Sequence, residues 1–165
     1  MSAADFCQEL TALLPRMRRF ARSLARDPAD GDDLCQAAIE RALKARTQWQ
    51  PGTRLDAWVF RIMRNLWIDE ARARNRRMQM FARDEAGTNV GGHGAQSVEA
   101  GVELDNVGRA LDRLPDEQRE AVMLVLVEGF AYKEAAKIAG CPIGTLTSRL
   151  SRGREALMRE LGEAG

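Results

Sequence analysis

The chain has 165 residues, 45% apolar and 30% charged, with a formal net charge of +1. That apolar fraction supports a packed core and excludes a wholly disordered chain, while the near-zero net charge excludes any case for nucleic-acid binding from the whole-chain balance. No run approaches 18 apolar residues, which excludes a membrane span, and three scattered cysteines without a C-x-x-C (Cys7, Cys35, Cys141) exclude a disulfide framework and point to free thiols in a reducing compartment.

The predicted elements are helical almost throughout. The first runs over about 4–26, as one helix or a pair broken at Pro15, with Phe6, Leu10, Leu13, Leu14, Met17, Phe20 and Leu24 as its apolar stripe. Asp27-Pro28 ends it. The second runs over about 29–45, with Leu34, Ala38, Ala42 and Ala45 on one side. Trp49–Thr53 reads as a turn. The third runs from Leu55 to about Arg77, with Leu55, Trp58, Val59, Ile62 and Leu66 facing inward.

Composition then changes. Residues 1–83 hold 16 Lys/Arg against 10 Asp/Glu, whereas residues 84–105 hold five acids and no Lys or Arg. Gly87, Gly91, Gly92, Gly94 and Gly101 fall in this stretch, so 84–104 is expected to be a flexible acidic linker reaching roughly 70 Å when extended. Beyond it, helices are expected at about 105–113, 116–128, 131–139 and 144–161. The fold class is therefore all-α: two small helical domains, 1–83 and 105–165, joined by a linker.

The last third carries the most specific local pattern. Tyr132–Ala139, a tight turn at Gly140, and a second helix form a helix-turn-helix. On the second helix Leu146, Leu150, Gly153, Leu157 and Leu161 share one side, while Thr145, Ser148, Arg149 and Arg152 share another. The first set can pack. The second presents hydroxyls and guanidinium groups suited to base edges and phosphates.

Two further polar stripes stand out. Asp33, Gln36, Glu40 and Lys44 share one face of the second helix, which the residues alone leave open as a solvated face or a docking face. Arg61, Asn65, Asp69, Arg72 and Arg76 line the third helix, and residues 61–77 hold six Arg against two acids. Arg at that density suits phosphates, and local pairs on a solvated surface are the other reading. No Ser/His/Asp set, phosphate loop or metal-ligand cluster appears, and His93 has no Cys or second His nearby. No enzyme activity, cofactor or metal is expected. The seven methionines read as core filler. No secretion signal and no added C-terminal sensory domain are expected, and the expected location is the cytoplasm.

The blocks Asp32–Gln36 with Arg41-Ala42, Leu55–Arg72, Leu114–Arg119, Glu128–Ala136 and Pro142–Leu150, in this order and spacing, resemble a bacterial RNA polymerase sigma factor of the extracytoplasmic-function (ECF) group. The resemblance spans nearly the whole chain and implies an alternative sigma factor. Such a protein binds core RNA polymerase, directs it to promoters and helps open the DNA. It further implies that Asp33, Gln36 and Glu40 contact core polymerase, with Ala37 standing where many relatives carry Glu. Arg61, Asn65, Asp69, Arg72 and Arg76 would read the −10 element, the 49–55 turn and Asn65 helping to form a pocket for a flipped base. Thr145, Ser148, Arg149, Arg152 and Arg154 would read the −35 element, with Arg154 on phosphate. The implied partners are core polymerase, promoter DNA and an anti-sigma factor, with no membrane insertion. The competing reading is a free-standing operator-binding regulator whose first module dimerises or senses a signal.

Overall fold

A computed structural model describes residues 2–84 and 102–164. Helix α1 spans Ala3–Ala25. Its N-terminus is closed by a capping box: the Asp5 N–H donates to Ser2 Oγ at 3.2 Å and the Ser2 N–H donates to the Asp5 carboxylate at 3.3 Å. The helix runs unbroken through Pro15, which lies on its exposed side, while Leu10, Met17 and Phe20 anchor the turns on either side in the core. Arg26 ends it in the left-handed region, at φ 66°. Asp27 then caps α2, Pro28–Lys44, accepting from the Asp30 N–H, with Pro28 in the first helical position.

A single 3₁₀ turn, Arg46–Gln48, leads into the loop before α3, Leu55–Asp84. The helix continues seven residues past the expected end at Arg77. Its inner face is also rotated from expectation. Val59, Phe60 and Met63 are fully buried, whereas Trp58, Ile62 and Leu66 are half-buried. Phe20 stacks on Phe60 with ring centroids 4.9 Å apart. Each such side chain removed from water contributes about 1.5–3 kcal/mol. Trp49 closes the end of this core against Phe6 at 5.8 Å, and its indole N–H has no hydrogen-bond partner among the described residues.

The second module begins with α4, Val102–Asp112, and α5, Asp116–Val122. Of the expected linker, Asp84 closes α3 and Val102–Leu104 open α4; residues 85–101, including His93, lie outside the described residues. The helix expected over 116–128 changes character at Met123, where Met123–Val127 forms a wider π turn closed by the Glu128 N–H on the Met123 carbonyl at 2.8 Å. Then come α6, Tyr132–Ala139, and α7, Ile143–Ala164. Leu146, Leu150 and Gly153 are buried and Leu157 and Leu161 half-buried, as their spacing predicts. Met17, Met63 and Met123 fill the core, but Met78, Met80 and Met158 are exposed, so the reading of all methionines as core filler is corrected.

The modules pack on one another. Phe130, just before α6, is buried edge-to-face against Phe60 of α3, their centroids 5.4 Å apart. Glu128, its side chain fully enclosed, receives Arg16 at 2.9 Å and Arg19 at 2.8 Å, both from α1. Arg64 of α3 donates to buried Glu120 of α5 at 3.0 Å, and Arg119 of α5 donates to the Ser23 carbonyl at 2.9 Å.

Candidate nucleic-acid interface

Position on α3 decides what each arginine of the first module can do. Arg61, Asn65, Asp69, Arg72 and Arg76 all fall on its exposed side, as their spacing predicts. The arginines between them are engaged. Arg64 is held by Glu120, Arg74 by Asp30 at 3.2 Å, and Arg77 lies 3.6 Å from Glu70. Arg61, Arg72 and Arg76 have no ion pair among the described residues. One stripe of α3 therefore keeps cationic groups available for phosphate.

Beside that stripe lies a small open cleft of ≈ 160 Å³ between α2 and α3, lined by Arg41, Gln48, Trp58, Asn65 and Asp69 among others. Asn65 offers two donors and an acceptor, Asp69 accepts, and Arg41 donates, so the cleft can read the edge of a planar polar ring. In the sequence Arg41 stood out only as part of a signature block and Gln48 not at all; the packing of α2 on α3 brings both to the cleft at Asn65. The 49–55 turn does not join them. Trp49 belongs to the core and, with Pro51, to a separate cleft near Ser2 and Arg46.

Asp33, Gln36 and Glu40 are exposed together on α2, while their neighbours Leu34, Cys35 and Ala38 face the core. Asp32 turns away from this set to Arg22 at 3.1 Å; that hydrogen bond holds its carboxyl below the ordinary aspartate range. Burial pushes the Cys35 thiol above its ordinary value, which disfavours the reactive thiolate.

In the second module Gly140 ends α6 in the left-handed region, at φ 69°, where a side chain would be strained. The turn lets Pro142 accept the Leu146 N–H and start α7. Ser148, Arg152 and Arg154 are exposed on α7, and Thr145 is half-buried. Arg149 differs from them. It is drawn to within 3.5 Å of Glu117 on α5, with 22% of its side chain exposed.

Comparison with known proteins places both modules. The family Sigma-70 region 2 matches residues 10–77, and Sigma-70, region 4 matches residues 104–157. The chain is 40% identical over 149 residues to the ECF RNA polymerase sigma factor EcfG of Rhodopseudomonas palustris, covering 90% of this chain and 81% of that one. The chain belongs to the ECF group of the sigma-70 family. Its function follows: as an alternative sigma factor it binds core RNA polymerase and directs promoter-specific transcription initiation. The sigma factor is also 30% identical to CarQ of Myxococcus xanthus, over 98% of this chain and 92% of that one. Its fold resembles that of the sigma factor RpoE solved in complex with the anti-sigma factor NepR from Bartonella quintana, with a TM-score of 0.80, 37% identity, and coverage of 96% and 97%. No helix among the described residues is long and apolar enough to cross a membrane.

Proposed function

We propose that this sigma factor works through three separate surfaces. Asp33, Gln36 and Glu40 of α2 dock on core polymerase. The α3 stripe Arg61, Asn65, Asp69, Arg72 and Arg76 reads the −10 element, with the cleft at Asn65 receiving a base extruded from the strand as the duplex opens. Thr145, Ser148, Arg152 and Arg154 of α7 read the −35 element, joined by Arg149 once it leaves Glu117. Extruding a base costs a few kcal/mol, roughly, which the polar groups of the cleft must offset.

The observation that carries this reading is the division among the arginines of α3: alternate ones are engaged in ion pairs, while Arg61, Arg72 and Arg76, on the exposed side with Asn65, have none among the described residues. A free-standing operator-binding regulator needs one DNA-reading helix, and a second such surface on α3 is superfluous to it. The protein acts in the cytoplasm, without catalysis of its own and without a cofactor. An anti-sigma factor restrains it, by analogy with the relatives solved in such complexes.

Run-off transcription with purified core polymerase on genomic fragments tests the assignment. Discrete transcripts that require the protein and disappear with Asn65→Ala or Arg152→Ala are the expected result. Core binding undiminished by Asp33→Ala with Gln36→Ala removes the α2 assignment. Tight binding to duplex DNA as a dimer, without polymerase, favours the regulator.

A further inference from the structure

Helix α3 outruns the module that holds it. At a rise of 1.5 Å per residue its 30 residues reach about 45 Å. Its last described tie to the body is Arg74, which pairs with Asp30 of α2 at 3.2 Å and lies 5.6 Å from the Trp67 ring centroid. From Asn75 to Ala82 every residue is exposed. Met78, Met80 and Phe81 fall in this stretch with 64%, 69% and 68% of their surface in water. Single apolar groups scattered on a surface are ordinary, but three large ones within four residues mark a contact surface.

The chemistry around them selects what covers it. Residues 71–83 hold five Arg and no Asp or Glu. Arg76 and Arg77 stand one turn before Met80 and Phe81, at the three- and four-residue spacings that put all four on one face. Arg76 has no ion pair among the described residues, and Arg77 has only Glu70 at 3.6 Å, with 60% of its own side chain exposed. Two guanidinium groups behind two apolar groups match what a duplex offers a helix: phosphates to pair with, and base steps against which an apolar side chain can press. An apolar protein surface would cover Met80 and Phe81 but leave both arginines without counter-charge. Position agrees with this choice. The exposed stripe Arg61, Asn65, Asp69, Arg72 and Arg76 repeats every three or four residues, and Met80 is its next member. The arm thus continues the surface assigned to the −10 element. Chain order sets its direction: α3 leads toward the module assigned to the −35 element, so at a promoter the arm points upstream. Met80 is fifteen residues past Asn65, roughly 22 Å along the helix, which is about six or seven base steps of duplex.

We propose that the projecting end of α3 is a second DNA contact of the first module. Arg76 and Arg77 pair with phosphates of the duplex just upstream of the −10 element. Met80 and Phe81 press on a base step about six or seven pairs from the base held in the Asn65 cleft. The arm anchors the paired side of the junction while the cleft holds the extruded base, which fixes where opening stops. This proposal rests on the reading of α3 as the −10 surface.

The test uses holoenzyme formed from core polymerase and the full chain, with two fork probes from a promoter identified by run-off transcription. Both carry the −10 strand unpaired. One keeps three base pairs upstream of it and the other ten, and neither includes the −35 element. Wild type is expected to bind the longer probe several-fold tighter. Met80→Ala with Phe81→Ala is expected to bind both probes alike, at the level of the shorter one. Arg77→Ala is expected to lose part of the gain and to lower the salt slope on the longer probe by about 1. Because Met80 and Phe81 are exposed, the double variant should melt with wild type and bind core polymerase equally in the absence of DNA. A double variant that keeps the full gain overturns the proposal, as does a wild type without one. A lowered melting temperature places the two side chains in the protein's own packing and overturns it too. Lost affinity for core polymerase without DNA assigns the face to polymerase, with the same consequence. Wild type that recruits polymerase to neither probe fails the −10 reading itself, and the proposal with it.

Discussion

Gly31→Ala is the substitution whose outcome follows most directly from geometry. Gly31 lies in the first turns of α2, where that helix meets α1. A Cβ there would stand 2.7 Å from the Arg22 Cα, 2.8 Å from its Cγ and 2.9 Å from its N, whereas ordinary contact begins at 3.4 Å. Two of the three atoms are backbone, so a side-chain rotation cannot make room. The helices must separate by several tenths of an ångström. Helix propensity alone predicts a gain, since Ala is favoured over Gly by about 0.8–1.0 kcal/mol in a helix interior. Overpacking costs about 1–3 kcal/mol, more where backbone blocks the way, so a net loss of about 1–2 kcal/mol is expected. In a module of this size that lowers the melting temperature by roughly 5–15 °C. The assay is thermal denaturation followed by circular dichroism, with core-polymerase affinity measured alongside. Affinity should fall less than stability, because Asp33, Gln36 and Glu40 face away from α1. A melting temperature unchanged or raised would mean that the α1–α2 approach is not this close.

The free arginines of α3 give a second expectation: Arg72→Ala with Arg76→Ala should reduce the slope of log affinity for −10 strand DNA against log salt by about 1–2, and an unchanged slope removes both from the phosphate contacts. Burial pushes the Glu120 carboxyl above its ordinary value, more than the Arg64 partner pulls it down. Its ionisation therefore costs stability as pH rises from about 4.5 through the raised folded value, and Glu120→Gln should melt higher than wild type at pH 7 while matching it near pH 4. A lower melting temperature at pH 7 reverses that account. Asp56 is the opposite case: burial works to raise it, but hydrogen bonds from Arg54 and Arg16 outweigh burial and hold it low. Its contribution is present above pH 3.8 and lost as pH falls through its depressed value, so Asp56→Asn should flatten the acid limb of the stability profile.

The helices and the helix-turn-helix were legible because they depend on local spacing. The apolar stripes of α1, α2 and α7, the turn at Gly140 and the exposed polar stripe of α3 all repeat within a few residues. What was not legible depends on distance along the chain. Arg16 and Glu128 are 112 residues apart, and no periodicity links them. Phe130 read as an ordinary residue of a motif rather than as a side chain buried against Phe60 of α3. The π turn after Val122 keeps the apolar pattern of a helix while changing its pitch. Trp58, Ile62 and Leu66 share a true helical face, but Phe60 and Met63 were needed to see that the core lies a fraction of a turn away. Arg149 was read alongside Thr145, Ser148, Arg152 and Arg154, yet Glu117 draws it toward α5 and leaves Ser148, Arg152 and Arg154 outward.

The charge pattern shows why composition misleads at this scale. The first half is basic, yet Arg16, Arg19, Arg26 and Arg64 face acids of the second module, and Arg22, Arg54 and Arg74 face acids of their own. Part of the arginine of residues 1–83 is thus spent on acids of the second module, while the near-neutral total comes from the five acids of residues 84–105. What matters for phosphate is position rather than the sum of charges: Arg61, Arg72 and Arg76 have no ion pair among the described residues, whereas Arg64, Arg74 and Arg77 of the same helix are engaged by acids.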